Sequence, residues 1–164
     1  MSDQQDIRIL LVDDEETLVE YISKRLLKKG FTVKATFSGE QALDAAEKDH
    51  YDVAVVDLKM PGMDGVETQK KLREIQPFLQ CIVLTGHGSI ESALESGQED
   101  AFQYLLKPVD YDALVAGIKD AYKKKQELQG AKFQEEVQRI QASGLGAHGI
   151  RKALADLRKI YGVD

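Results

Sequence analysis

Two periods take turns along the first 122 residues. Ile7, Ile9, Leu10, Leu11 and Val12 form a nearly continuous apolar run, the pattern of a strand buried on both faces of a parallel sheet. Glu15 to Lys29 then places Leu18, Ile22 and Leu26 at helical spacing and stops at Gly30. Phe31, Val33, Ala35 and Phe37 alternate with polar residues, which predicts a strand at an edge or exposed on one face. Ser38 with Gln41 offers a capping box for a helix to Asp49. Val53 to Val56 repeats the buried pattern, and the loop Met60-Pro61-Gly62-Met63 leads to Asp64 as the cap of a helix through Ile75. Cys81 to Leu84 is a fourth strand, Ser89 to Glu99 a fourth helix, and Ala101 to Leu106 a fifth strand. Asp110 caps a fifth helix with Leu114, Val115 and Ile118 turned inward. This strict alternation predicts an α/β fold, a doubly wound parallel sheet of five strands over residues 1–122.

The pattern changes after Tyr122. Lys123 to Ala142 is rich in helix formers and carries a stripe of Phe133, Val137 and Ile140, so the fifth helix is expected to run on with a bend at Gly130. Ser143-Gly144-Leu145-Gly146-Ala147-His148-Gly149 breaks it. Ile150, Leu154, Leu157 and Tyr161 then share one face of a last helix. Residues 123–164 are therefore expected as a helical C-terminal extension.

Length and composition fit that division: 164 residues with 43% hydrophobic suffice for one α/β domain plus an appendage, and not for two ordinary domains. The net charge of -6 is uneven. Residues 1–122 carry 13 Lys and Arg against 23 Asp and Glu, whereas residues 123–164 carry nine against five, so the body is acidic and the tail mildly basic. The single cysteine, Cys81, lies inside an apolar run and reads as a buried thiol in a reducing compartment. Met1 to Asp6 lacks the pattern of a signal peptide and no apolar stretch approaches membrane-spanning length, so a soluble cytoplasmic chain is expected.

Chemistry enters at the strand ends. Asp13-Asp14, Asp57, Thr85 and Lys107 each follow an apolar run, and parallel strands carry all of them to the carboxyl edge of the sheet, where open α/β sheets bind ligands. A carboxylate attacks a phosphoryl donor poorly unless the repelling negative charge is neutralised, and Mg²⁺ held by acidic oxygens does this. Asp13 and Asp14 are read as Mg²⁺ ligands and Asp57 as both ligand and nucleophile. Lys107 and Thr85 would stabilise charge on the transferring phosphoryl oxygens. Taken singly, Asp13-Asp14-Glu15 could be a solvated helix start, Asp57 a turn residue and Lys107-Pro108 a surface turn; their joint placement favours the site. His87, two residues after Thr85, could influence attack of water on the phosphoryl group but reads first as a solvated loop histidine, and His50 and His148 read as surface residues.

Four stretches together resemble the receiver domains of two-component response regulators: Ile9 to Glu15, Val55 to Gly65, Val83 to Ser89, and Tyr104 to Pro108. The resemblance covers residues 6 to 122 and implies the flavodoxin-like strand order 2-1-3-4-5. It also implies the main-chain carbonyl of Lys59 as a further metal ligand, a cis peptide at Lys107-Pro108, and Tyr104 as the aromatic group that turns inward when Thr85 moves toward the phosphoryl group. The implied partner is a sensor histidine kinase or a histidine phosphotransfer protein. The chain departs from the family at Asp100, where glycine is common.

The function expected is a non-enzymatic receiver that accepts a phosphoryl group on Asp57 and switches to control a partner, or a homodimer formed through the fifth helix and the tail. Against it stands a DNA-binding transcriptional regulator acting through the short basic tail. Nucleic acid is not expected as a partner, because the tail has room for only two helices with mixed charge and no clear helix-turn-helix turn. A membrane is not expected either. An aspartyl phosphatase of small esters would want a second aspartate two residues after the nucleophile, where this chain has Lys59.

Overall fold

The apolar runs form five strands: β1 (Arg8–Val12), β2 (Thr32–Thr36), β3 (Val53–Asp57), β4 (Gln80–Thr85) and β5 (Gln103–Leu106). The computed structural model describes residues 6–86, Glu91 and 101–162. The helices among them are α1 (Glu16–Lys29), α2 (Gly39–Lys48), α3 (Gly65–Ile75), α4 (Tyr111–Gln141) and α5 (Ala147–Tyr161). Apart from Glu91, the helix expected from Ser89 to Glu99 lies outside the described residues, as do His87 and Asp100.

Local chemistry sets the helix ends. Ser38 Oγ accepts from Gln41 N–H at 3.1 Å and caps α2 as expected, while Gln41 Oε1 accepts from Phe37 N–H at 2.9 Å, one residue before the cap, where a capping box would use the Ser38 N–H. Asp64 Oδ1 accepts from Glu67 N–H at 2.9 Å and starts α3. Gly30 ends α1 in the left-handed region at φ 107°, which costs glycine little and other residues more.

All neighbouring strands are parallel and lie in the order β2-β1-β3-β4-β5. The alternating face of β2 is thereby explained, since β2 is an edge. Because strand side chains alternate, Ile9, Leu11, Val53 and Val55 enter one core layer with Val19, Ile22 and Leu26 of α1 and Leu114 and Ile118 of α4. Leu10, Val12, Ala54 and Val56 enter the opposite layer with Ala42 of α2 and Leu72 of α3. Helices thus cover both faces, as a parallel sheet requires. Each fully covered Leu or Ile contributes roughly 1.5–3 kcal/mol relative to exposure.

The chain divides into two compact units, Met1–Lys124 and Lys125–Asp164, with the division falling inside α4. Gly130 does not interrupt that helix; open space surrounds the position of its missing Cβ, and one glycine costs a helix only about 1 kcal/mol relative to alanine. In the second unit the Phe133 and Tyr161 rings meet edge to face at 5.7 Å. Leu157 is buried there, whereas Ile160 is exposed. Strand β5 begins at Gln103 rather than at Ala101, although Phe102 N–H already donates to the Cys81 carbonyl at 2.8 Å. No helix among the described residues is long and apolar enough to cross a membrane.

Candidate functional site

Register brings the strand-end residues together. Val12 pairs with Val56, so Asp13 and Asp57 leave adjacent strands side by side. Thr85 pairs with Leu106, and Lys107 N–H donates to the Thr85 carbonyl at 2.9 Å, which fixes the β5 end to the β4 end. Gly65 allows α3 to start against the back of this edge. Its N–H donates to the Leu58 carbonyl at 2.8 Å, and a Cβ there would run into the Asp57 carbonyl and approach Leu58 Cα to 2.7 Å.

One carboxylate oxygen from each of Asp13, Asp14 and Asp57 lies within 4.8 Å of the others. Asp13 and Asp57 are buried and Asp14 is exposed, so the trio has two covered members and one facing solvent. Lys107 Nζ stands 2.9 Å from Asp13 Oδ2, 3.3 Å from Glu15 Oε1 and 3.5 Å from Asp57 Oδ2. The Asp13 contact is the shortest of the three, and the Lys107 ammonium is the partner of the buried Asp13 Oδ2. Asp13 Oδ1 accepts from Glu15 N–H at 3.0 Å. Thr85, at 2% exposure, ends β4, and Lys59 N–H donates to Asp57 Oδ1 at 3.4 Å.

The electrostatics follow from burial and crowding. Burial raises the Asp57 pKa to about 6, the charge of Asp13 adds to the rise, and Lys107 and the Lys59 N–H oppose it. For Lys107 burial acts downward, but Asp13, Asp57 and Glu15 outweigh it and the net shift is upward, so the ammonium stays charged. Three carboxylates this close together, two of them buried and with one nearby ammonium to balance them, fit a hard divalent cation, which takes oxygen ligands and cancels their repulsion.

Tyr104 is half-buried and packs with Ala101 and Val66 against Leu58 and Val83. The Lys107–Pro108 peptide is cis. His50 and His148 are exposed. Cys81 is fully enclosed, and burial pushes its thiol up to about 12. From the sequence alone Glu15 is only a helix start. The available signal was its position, the N-cap of α1, where Ser, Thr, Asp or Asn is the usual choice.

Open sheets gather ligands where the strand order reverses, here between β1 and β3. That crevice carries carboxylates where dinucleotide-binding sheets carry a glycine-rich turn, which places the chain among the flavodoxin-like domains with an acidic pocket. The chain belongs to the response regulator receiver domain family, whose model matches residues 9–119. It is 38% identical over 113 residues to the transcriptional regulatory protein GlrR of Escherichia coli (strain K12), covering 69% of this chain and 26% of that protein. It is 34% identical over 119 residues to the DNA-binding transcriptional regulator NtrC of Klebsiella pneumoniae, covering 73% and 25%. The chain thus spans about a quarter of the length of these curated relatives. Among solved structures, a receiver domain protein from Clostridium thermocellum matches with TM-score 0.68 at 33% identity, covering 74% of this chain and 98% of that one. The response regulator TrrA of Thermotoga maritima, in complex with Mg²⁺ and BeF, matches with TM-score 0.63 at 30% identity, covering 70% and 98%.

Proposed function

We propose that this receiver takes a phosphoryl group from a phosphohistidine onto Asp57, in a reaction that needs Mg²⁺ beside Asp13, Asp14 and Asp57. The observation that carries it is the clustering of Asp13, Asp14 and Asp57 carboxylate oxygens within 4.8 Å of one another, with the Lys107 ammonium beside Asp13 and Asp57. In the transfer an Asp57 oxygen attacks phosphorus. The P–N bond to the donor imidazole breaks, its electron pair leaves with the nitrogen, and a new P–O bond makes an acyl phosphate. Bound Mg²⁺ supplies charge neutralisation and orientation; Asp13, Asp14, Asp57 and the Lys59 carbonyl would hold it. Lys107 and the Thr85 hydroxyl stabilise the phosphoryl oxygens, and Tyr104 follows Thr85 in the switch. The chain then acts as a cytoplasmic signalling element with a sensor kinase or histidine phosphotransfer protein as donor, and turns over no substrate of its own. Residues 1–122 carry the receiver, and the extension of residues 123–164 serves a protein contact, including self-association.

The test is labelling from acetyl phosphate with Mg²⁺. The wild type is expected to take an acid-labile, hydroxylamine-sensitive label, and Asp57→Asn to lose it. Undiminished labelling of the variant at another residue would refute the assignment. Asp13→Asn and Asp14→Asn are expected to weaken Mg²⁺ binding by at least about ten-fold, since each removes a full charge beside the cation.

The names of GlrR and NtrC favour a second reading for the longer protein context, a receiver serving transcriptional control. They lend no support to the expectation that nucleic acid is excluded. Duplex DNA binding that falls steeply with salt and requires residues 123–164 would establish that reading for this chain.

A further inference from the structure

Glu15 sits outside the acidic trio yet accepts a hydrogen bond from Lys107 Nζ at 3.3 Å, and the two residues are 92 positions apart in the chain. Its place in the fold makes the contact informative. Glu15 is the N-cap of α1, but its side chain accepts no capping hydrogen bond from the helix; the carboxylate goes to Lys107 instead. Its backbone N–H is meanwhile held by Asp13 Oδ1 at 3.0 Å, so the residue is fixed beside the acidic trio by its backbone while its partly exposed carboxylate meets the ammonium.

An ammonium has three N–H donors, and three carboxylates surround this one: Asp13, Glu15 and Asp57. Asp13 and Asp57 have a second use as cation ligands. Glu15 does not, since it is absent from the group of carboxylates close enough to share an ion. When a phosphoryl oxygen arrives on Asp57 and needs the Lys107 ammonium, Glu15 is the carboxylate left competing for it.

We propose that Glu15 is a positioning residue that holds Lys107 in the resting receiver and competes with the phosphoryl group for it. This rests on the phosphoacceptor reading of Asp57. The contact weakens phosphoryl binding and biases the domain toward its resting state.

The experiment is a titration of the full chain with beryllofluoride at saturating Mg²⁺, followed by the Thr85 amide resonance, for the wild type, Glu15→Gln, Glu16→Gln, Lys107→Ala and the Glu15→Gln/Lys107→Ala double variant. Glu16 is the control, an exposed carboxylate one residue on that makes no contact with Lys107. Glu15→Gln is expected to tighten binding about two- to five-fold, the range of a partly exposed ion pair, and to have no effect once Lys107 is alanine. Glu16→Gln is expected to change it by less than about 1.5-fold, as a screened surface charge should. Equal tightening by Glu15→Gln and Glu16→Gln would mean a general charge effect and would overturn the inference. So would a Glu15→Gln effect that persists in the Lys107→Ala background, or no effect at all. A wild type that binds no beryllofluoride, or an Asp57→Asn chain that still binds it, would overturn the phosphoacceptor reading itself and this inference with it.

Discussion

In the sheet, Ile9, Leu10, Val12, Val53, Val55 and Val83 are completely covered, whereas in residues 125–162 the one buried apolar side chain is Leu157, and Ile160 is 77% exposed. Both regions begin from regular apolar patterns. The stripe Phe133, Val137 and Ile140 and the stripe Ile150, Leu154 and Tyr161 are no less periodic than α1, yet all six residues are only half-buried. The difference is the number of layers. A strand of the sheet is closed from two sides by helices, while a face of one helix meeting a face of another leaves most of each perimeter in water. Ordering each backbone residue costs about 1–2 kcal/mol, and a two-helix unit has little area to set against it.

The comparison can be pressed hardest at Leu84, 1% exposed in β4. Leu84→Ala is expected to lower unfolding stability by about 2–5 kcal/mol in urea titrations; a loss below 1 kcal/mol would show that the sheet core is no tighter than the tail.

The most buried region also contains a group that disfavours folding. Asp57 has its folded pKa raised to about 6 against a usual value of 3.8, so the folded state holds the proton more tightly than the unfolded one. Between those values stability falls as pH rises, and above about 6 the full cost of the buried charge is present. Without Mg²⁺, Asp57→Asn is therefore expected to stabilise the chain at pH 7 by about 1–3 kcal/mol, and the gain is expected to vanish below pH 4. Thermal melts across that range check the sign. A variant less stable than the wild type at pH 7 would contradict it.

Gly65→Ala comes next. The added methyl would meet the backbone of Asp57 and Leu58, which cannot step aside like a side chain, and a loss of about 1–3 kcal/mol is expected. Slower labelling from acetyl phosphate should accompany it, because the same backbone carries Asp57. The smallest effect belongs to the tail: Ile160→Ala is expected to change stability by less than about 0.5 kcal/mol. A larger loss would mean that the exposed side chain is covered in solution by something else, and sedimentation of the variant against the wild type would show whether a second copy supplies the cover.

Much of this was legible in the residues. The strand and helix order could be read because each apolar run is short and punctuated, and Asp13, Asp14, Asp57, Thr85 and Lys107 could be read because each directly follows such a run. What a sequence pattern marks poorly is a contact set by tertiary approach. The Glu15 to Lys107 bond joins the first strand end to the last, and no periodicity connects residues so far apart. The extent of burial in the tail was hidden for a related reason. A stripe says which side of a helix is apolar, but only the neighbouring elements decide how much of it is covered.

The enclosed thiol of Cys81 has a practical consequence. It is the only cysteine in the chain, sits in β4 between β3 and β5, and its pKa near 12 leaves almost no thiolate at neutral pH. Once the sheet opens, the same sulfur returns to an ordinary pKa of about 8.5 and reacts readily. Folded molecules should thus be silent toward an alkylating reagent and opened ones should be trapped. The chain carries a native stopwatch for the opening of its central strands, readable by mass and requiring no engineered label.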